Sequence, residues 1–126
     1  MVGVVIVSHS EKVAEGAREL ALQMAGQVPV AAAGGLPDGG IGTDFQRILE
    51  AVESVSSPDG VVILFDVGSA LMTAEMVVEA VDGVKVRLAD GPVVEGAIVA
   101  AVSASIGMDL EGILAAVRQV AEGHKL

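Results

Sequence analysis

Two residues far apart in the chain, His9 and Asp66, carry side chains that can do chemistry together. His9 lies in Ser8-His9-Ser10, directly after the apolar run Val2-Gly3-Val4-Val5-Ile6-Val7. Asp66 follows the apolar run Val61-Val62-Ile63-Leu64-Phe65. A carboxylate hydrogen-bonded to one imidazole nitrogen fixes the tautomer and leaves the other nitrogen with a lone pair, which makes it a nucleophile. The same carboxylate stabilises positive charge that builds on the ring during attack. Position alone leaves a second reading of each residue open: His9 as a helix-capping or structural histidine, Asp66 as a cap on the turn after it. The other histidine, His124, lies in the terminal Gly123-His124-Lys125-Leu126 and reads as a solvated tail residue.

The segment Gly34-Gly35-Leu36-Pro37-Asp38-Gly39-Gly40-Ile41-Gly42 holds five glycines in nine residues. Consecutive glycines let backbone N–H groups turn toward an anion, and a helix N-terminus adds a favourable dipole. A plain flexible loop has the same composition. Helix starts are expected at Ser10, Thr43 and Ser69, all converging on one crevice. The signals of a self-contained nucleotide site are missing: there is no Gly-Lys-Ser/Thr, no Lys or Arg between Arg18 and Arg47, and no G-x-G-x-x-G after the first apolar run. No G-x-S-x-G surrounds Ser69, which argues against a hydrolase nucleophile. Met72 and Met76, four residues apart, read either as core or as a soft contact surface near the crevice.

Hydrophobic periodicity supplies the elements that must place these residues. The runs 2–7 and 61–65 read as central strands, 29–33 as a weaker strand, and 84–88 as an alternating one with a wetter face. Between them lie helical patterns. Val13, Ala17, Leu20 and Met24 form one stripe, and Phe45, Ile48, Leu49 and Val52 a second, opened by a capping box of Thr43 with Gln46. Ala70, Ala74, Val77 and Val81 form a third. Pro92 opens a fourth helix, and a last one begins at about Asp109 with Leu110, Ile113, Leu114, Val117 and Ala121 inward. Four β-α units in this order imply one α/β domain over residues 1–126: a doubly wound, mainly parallel sheet of order 2-1-3-4 with helices on both faces. Ligands of such sheets bind at the carboxyl ends of the strands where the winding reverses. His9 and Asp66 would end neighbouring strands there.

Composition narrows the function classes. The 126 residues carry 7 Lys+Arg against 17 Asp+Glu, a formal charge of −10, and only 2% aromatics. That balance disfavours nucleic acid and anionic membrane surfaces as partners. With no cysteine, disulfides, thiol catalysis and Cys-based metal sites are excluded. Hydrophobic residues make up 52% and mean hydropathy is +0.68. These apolar residues come in short runs, none approaching the roughly 18 residues of a membrane span. No charged region precedes an apolar core at the N-terminus, so no signal peptide and a cytoplasmic location are expected. The high hydropathy and the open edge of the fourth strand imply a homodimer, built around that strand and the helix after Pro92.

Several segments together resemble a known family. They are Ile6-Val7-Ser8-His9-Ser10, Ala31-Ala32-Ala33-Gly34-Gly35, Gly42-Thr43, and Leu64-Phe65-Asp66-Val67-Gly68-Ser69-Ala70-Leu71-Met72. Ala74-Glu75-Met76 and Leu88-Ala89-Asp90-Gly91-Pro92-Val93-Val94-Glu95-Gly96-Ala97 continue the likeness. In this order they are similar to the phosphotransfer subunits of phosphoenolpyruvate-dependent dihydroxyacetone kinases, the DhaM type, which are related to mannose-family EIIA domains of the sugar phosphotransferase system. The resemblance implies a stand-alone phosphohistidine carrier. His9 would accept a phosphoryl group from the phosphocarrier HPr and pass it to ADP on the DhaL subunit, for use on the dihydroxyacetone held by DhaK. It implies Asp66 as the partner orienting the histidine, and Ser10, Gly35, Thr43, Gly68 and Ser69 as residues lining the phosphate pocket. Neither a cofactor nor a metal is implied.

Three other readings compete. A receiver-like module would carry phosphate on Asp66, but strand one then lacks the acidic pair that holds Mg²⁺. A non-catalytic binding domain would use His9 structurally. A small metal-dependent hydrolase would gather His9, Asp66 and Asp90, whose spacing matches no recognised metal motif.

Overall fold

The computed structural model describes residues 1–126. The elements are β1 (Gly3–Ser8), α1 (Glu11–Met24), β2 (Val30–Gly34), α2 (Phe45–Ser54), β3 (Val61–Phe65), α3 (Gly68–Ala80), β4 (Val86–Leu88), α4 (Val93–Ser105) and α5 (Leu110–Glu122). The four strands form one parallel sheet in the order β2-β1-β3-β4, as the β-α succession requires. No helix is long and apolar enough to cross a membrane.

Strands β1 and β3 are buried on both faces, which is why they read as unbroken Val/Ile/Leu runs. Alternate residues serve two cores. Val2, Val4, Ile6, Val62 and Leu64 pack against α1, α4 and α5. Val5, Val7, Val61 and Ile63 pack against α2 and α3. The β1–β3 register pairs Val7 with Phe65, so the next residues of each strand, Ser8-His9 and Asp66, emerge side by side at the carboxyl edge. Gly34 lies opposite Ser8 on the other flank.

Helix α1 departs from the expected stripe. Its buried residues are Ala14, Ala17 and Ala21, while Val13, Leu20 and Met24 are 44%, 50% and 66% exposed. The physical reason is proximity. A Cβ on Gly34 would lie 2.5 Å from the Ser10 carbonyl oxygen and 2.7 Å from the Glu11 Cα, so the start of α1 runs almost in contact with β2. The neighbouring α4 buries Ala97, Ala100, Ala101 and Ala104. Only alanine fits on the inner side of α1, and the larger apolar residues are turned out.

The start of α2 differs too. Its cap is Asp44, whose Oδ2 accepts from the Arg47 N–H at 3.0 Å. Thr43 is displaced from that role because its hydroxyl is engaged by Thr73 on α3. Gln46 bonds forward to Glu50 instead of back to a cap. The smaller shifts lie at ends. β2 runs one residue later than the apolar run suggests, β4 is confined to three residues, Val81 caps α3 from outside, and Ala121 is exposed.

The close approach at Gly34 makes a sharp prediction. Gly34→Ala should cost about 1–3 kcal/mol, because backbone atoms must move to admit the methyl group. Gly16→Ala, inside α1 with open space at its Cβ position, should stabilise by about 0.5–1 kcal/mol through helix propensity. Urea unfolding of the two variants checks both signs; an unchanged Gly34→Ala would refute the tight α1–β2 contact.

Candidate functional site

His9 and Asp66 meet as the strand pairing requires. His9 Nδ1 lies 2.9 Å from Asp66 Oδ1, and the His9 backbone N–H donates to Asp66 Oδ2 at 3.0 Å. The Ser8 hydroxyl donates to Oδ2 at 2.8 Å, and the Val67 N–H donates to Oδ1 at 2.7 Å. Each carboxylate oxygen thus accepts two hydrogen bonds, the full capacity of an ionised carboxylate. Since an ionised carboxylate can only accept, Nδ1 must donate and carries the ring proton. Nε2 is left with its lone pair, and it accepts from the Ser69 hydroxyl at 2.5 Å. Burial alone would raise the Asp66 carboxyl. The backbone and ring hydrogen bonds from His9, the Val67 amide and the Ser8 hydroxyl outweigh burial and hold it below the ordinary aspartate value.

The side chains of His9 and Asp66 are 22% and 20% exposed. They line none of the five principal cavities. Both side chains are partly exposed at the carboxyl edge of the sheet. Exposed apolar side chains lie on the segments that carry or adjoin the site: Ile41 in the glycine-rich loop, Val67 next to Asp66, and Met72 and Met76 on α3. The two methionines are exposed and lie outside the core.

The glycine-rich loop is tied to the site, but differently from an anion cradle. The Gly35 N–H donates to the Ser8 carbonyl at 3.2 Å and the Gly42 N–H to the His9 carbonyl at 2.9 Å. Gly39 and Gly40 also spend their N–H groups inside the loop. Gly35 and Gly42 have φ of +71° and +153°, conformations that favour glycine. The loop clamps the end of β1 from outside. Thr43 Oγ1 lies 2.9 Å from Thr73 Oγ1, fastening the far end of the loop to α3.

Ser10 is the cap of α1, accepting from the Val13 N–H. Gly68 and Ser69 open α3, whose cap position is Val67 without a side-chain cap, and their N–H groups meet no acceptor within the protein. The site thus gathers His9, Asp66 and Ser69 in direct contact, with Gly68 alongside, while Ser10, Gly35 and Thr43 act at one remove as a cap, a clamp and a tether. Sequence reasoning passed over Ser8 and Thr73. The signal for Ser8 was a small polar residue ending a run buried on both faces; nothing in the pattern pointed to Thr73.

The geometry also weighs the competing readings. A phospho-accepting aspartate needs a free oxygen, and both oxygens of Asp66 are occupied. Asp90 lies elsewhere, lining a cavity of about 620 Å³ with Gly91, Pro92, Glu95, His124 and Lys125. His9, Asp66 and Asp90 therefore do not form one metal centre. His124 is exposed, as its tail position implied.

Residues 3–114 match the EIIA-man family, described as the PTS system fructose IIA component. The chain belongs to this family. It is 43% identical over 121 residues to the phosphoryl donor subunit DhaM of the PEP-dependent dihydroxyacetone kinase of Escherichia coli (strain K12), covering 90% of this chain. The chain spans about a quarter (26%) of that relative's length. The corresponding subunit DhaM of a second such kinase in Listeria innocua is 36% identical over 118 residues, covering 90% of this chain and 94% of the relative. Among solved structures, EF1359, a protein of unknown function, superposes with a TM-score of 0.85 at 29% identity, covering 99% of this chain and 98% of the other. The EIIA-man match begins at the first residue of β1 and ends within α5, so it takes in His9, Asp66 and Ser69 alike.

The lowered pKa of Asp66 has a sign that can be measured. A carboxyl held below its unfolded value, about 3.9, adds stability that is fully present above that value. This stability is lost as pH falls through the folded-state value. Asp66→Asn has no such proton to take up. As pH falls from about 5 through the carboxylate range it should lose less unfolding free energy than the native chain, as read by urea titrations at each pH. Parallel pH profiles would refute the hydrogen-bonded, ionised Asp66.

Proposed function

We propose that the chain is the phosphohistidine carrier of a phosphoenolpyruvate-dependent dihydroxyacetone kinase system, with Nε2 of His9 as the acceptor atom. The observation that carries this reading is the saturated Asp66 carboxylate, which fixes the proton on Nδ1 and leaves the Nε2 lone pair at an open surface. The kinship with DhaM subunits named as phosphoryl donors supports the same chemistry.

In the proposed step the Nε2 lone pair attacks the phosphorus of phosphorylated HPr. The nitrogen–phosphorus bond on HPr breaks and its electron pair returns to the donor imidazole. The His9 ring keeps its Nδ1 proton, and the positive charge it gains lies against Asp66 Oδ1. Ser69 turns its hydroxyl from Nε2 to a phosphoryl oxygen, and the free N–H groups of Gly68 and Ser69 add donors at the start of α3. The reverse displacement, by a β-phosphate oxygen of ADP on DhaL, forms ATP for the dihydroxyacetone bound on DhaK. Such transfers have loose transition states, and catalysis is mostly positioning and charge stabilisation, which backbone amides and helix ends here, with basic residues or metal on a partner, can supply. The net charge of −10 favours partners with basic docking faces and repels free nucleotides. We also propose a homodimer through the outer edge of β4 and the exposed side of α4, where Val102 and Ile106 are 36% and 73% exposed.

Incubation with labelled phosphoenolpyruvate, the general phosphotransferase enzyme and HPr tests the reading. The label should be acid-labile, stable in alkali and lost in His9→Ala; labelling retained in that variant would overturn it. Asp66→Asn should fold and be phosphorylated roughly ten- to a hundredfold more slowly, the worth of one charge-assisted hydrogen bond of about 1.5–3 kcal/mol.

The dimer is checked by sedimentation equilibrium at tens of micromolar, where a monomer would refute it. Ile106→Glu should shift the mass toward the monomer and leave labelling of His9 intact.

A further inference from the structure

Ser8 is the one residue of the His9–Asp66 arrangement that is wholly inside the protein, with only 1% of its surface accessible. Its hydroxyl stands between two partners of fixed polarity. The Ser10 backbone N–H donates to Ser8 Oγ at 3.0 Å, and Ser8 Oγ donates to Asp66 Oδ2 at 2.8 Å. An amide N–H cannot accept, so the Ser8 hydroxyl proton has a single direction available, toward the carboxylate. The Ser10 amide and the Ser8 hydroxyl thus form a one-way series that ends on Asp66, to which the His9 ring donates from the other side. Hydrogen bonds in series of this kind polarise one another.

We infer that Ser8 is a positioning residue for phosphoryl transfer: its hydroxyl holds the Asp66 carboxylate in the plane and charge state that keep the His9 proton on Nδ1. The inference rests on the assignment of His9 as the phosphoryl acceptor, and it adds a residue that never touches the phosphoryl group. The other three donors to Asp66 cannot substitute for it. The His9 and Val67 amides are fixed by the backbone, and the third is the ring being controlled. Without the Ser8 hydroxyl, Oδ2 keeps one donor, the His9 amide, and the carboxylate is held less firmly in its plane. The Ser10 N–H also loses its acceptor. A ring less firmly held at Nδ1 shares its proton between two tautomers, and the form protonated on Nε2 is not nucleophilic at that atom.

Two readouts of Ser8→Ala separate this role from a purely structural one. Nitrogen-15 spectra of the His9 ring at about pH 8, where an ordinary imidazole is neutral, should show one tautomer protonated on Nδ1 in the native protein and a mixture in Ser8→Ala. Phosphorylation by HPr should slow by roughly three- to tenfold. Ser8→Thr, which restores the hydroxyl, should recover the single tautomer and most of the rate. If Ser8→Ala folds poorly, Ser8→Cys keeps the shape with a weaker donor and should show the same tautomer mixing. A single Nδ1-protonated tautomer in a folded hydroxyl-free variant, or an unchanged rate, would overturn the inference. The ring spectra need no partner protein: absence of phosphorylation in the native chain would refute the carrier reading and leave the tautomer result standing on its own.

Discussion

Asp66 accepts hydrogen bonds from the His9 amide, the His9 ring, the Val67 amide and the Ser8 hydroxyl, and these donors come from two segments 57 or so residues apart in sequence. A carboxylate so surrounded cannot act as a nucleophile or a proton acceptor without breaking a bond that holds the fold together. It can only hold a charge and a direction. In the proposed carrier, that constraint leaves the imidazole as the reactive partner and its outward nitrogen as the reactive atom. It also requires the ends of β1 and β3 to be held to within a few tenths of an ångström. The clamp formed by Gly35 and Gly42 on the Ser8 and His9 carbonyls supplies part of that rigidity. The two-sided burial of both strands supplies the rest.

The sheet order and the His9–Asp66 pairing were legible in the chain because they depend on coarse signals. Continuous apolar runs of five or six residues mark strands buried on both faces, and alternating β-α units leave few ways to wind a parallel sheet. The orientation of α1 was not legible. Val13, Ala17, Leu20 and Met24 obey helical spacing as well as Ala14, Ala17 and Ala21 do, and hydrophobicity ranks the larger residues first. What decides between them is the distance from helix to strand, set by Gly34 against the Ser10 carbonyl, and no local pattern encodes that distance.

The site shows the same division. Histidine and aspartate at strand ends announce themselves by residue type. The hydroxyl of Ser8 and the Thr43–Thr73 pair depend on rotamers and on which helix start lies opposite which loop end. Asp44 rather than Thr43 caps α2 because Thr43 is already bonded to a different helix, a competition invisible along the chain. The glycine-rich segment had the composition of an anion-binding loop, yet several of its amides are spent on the loop itself and on the β1 carbonyls.

The alanine lining of the larger core has a thermal consequence. Nine of the 20 residues of that core are alanine, so α1 and α4 press backbone close to backbone and bury little hydrocarbon per residue. Unfolding such a seam wets much peptide surface and comparatively little apolar surface. Apolar hydration raises the heat capacity by about 0.45 cal/K/mol/Å² and polar hydration lowers it by about 0.26. The heat-capacity increment contributed by this seam is therefore small for its length. A small increment flattens the stability curve, so this seam contributes a stability that varies little with temperature.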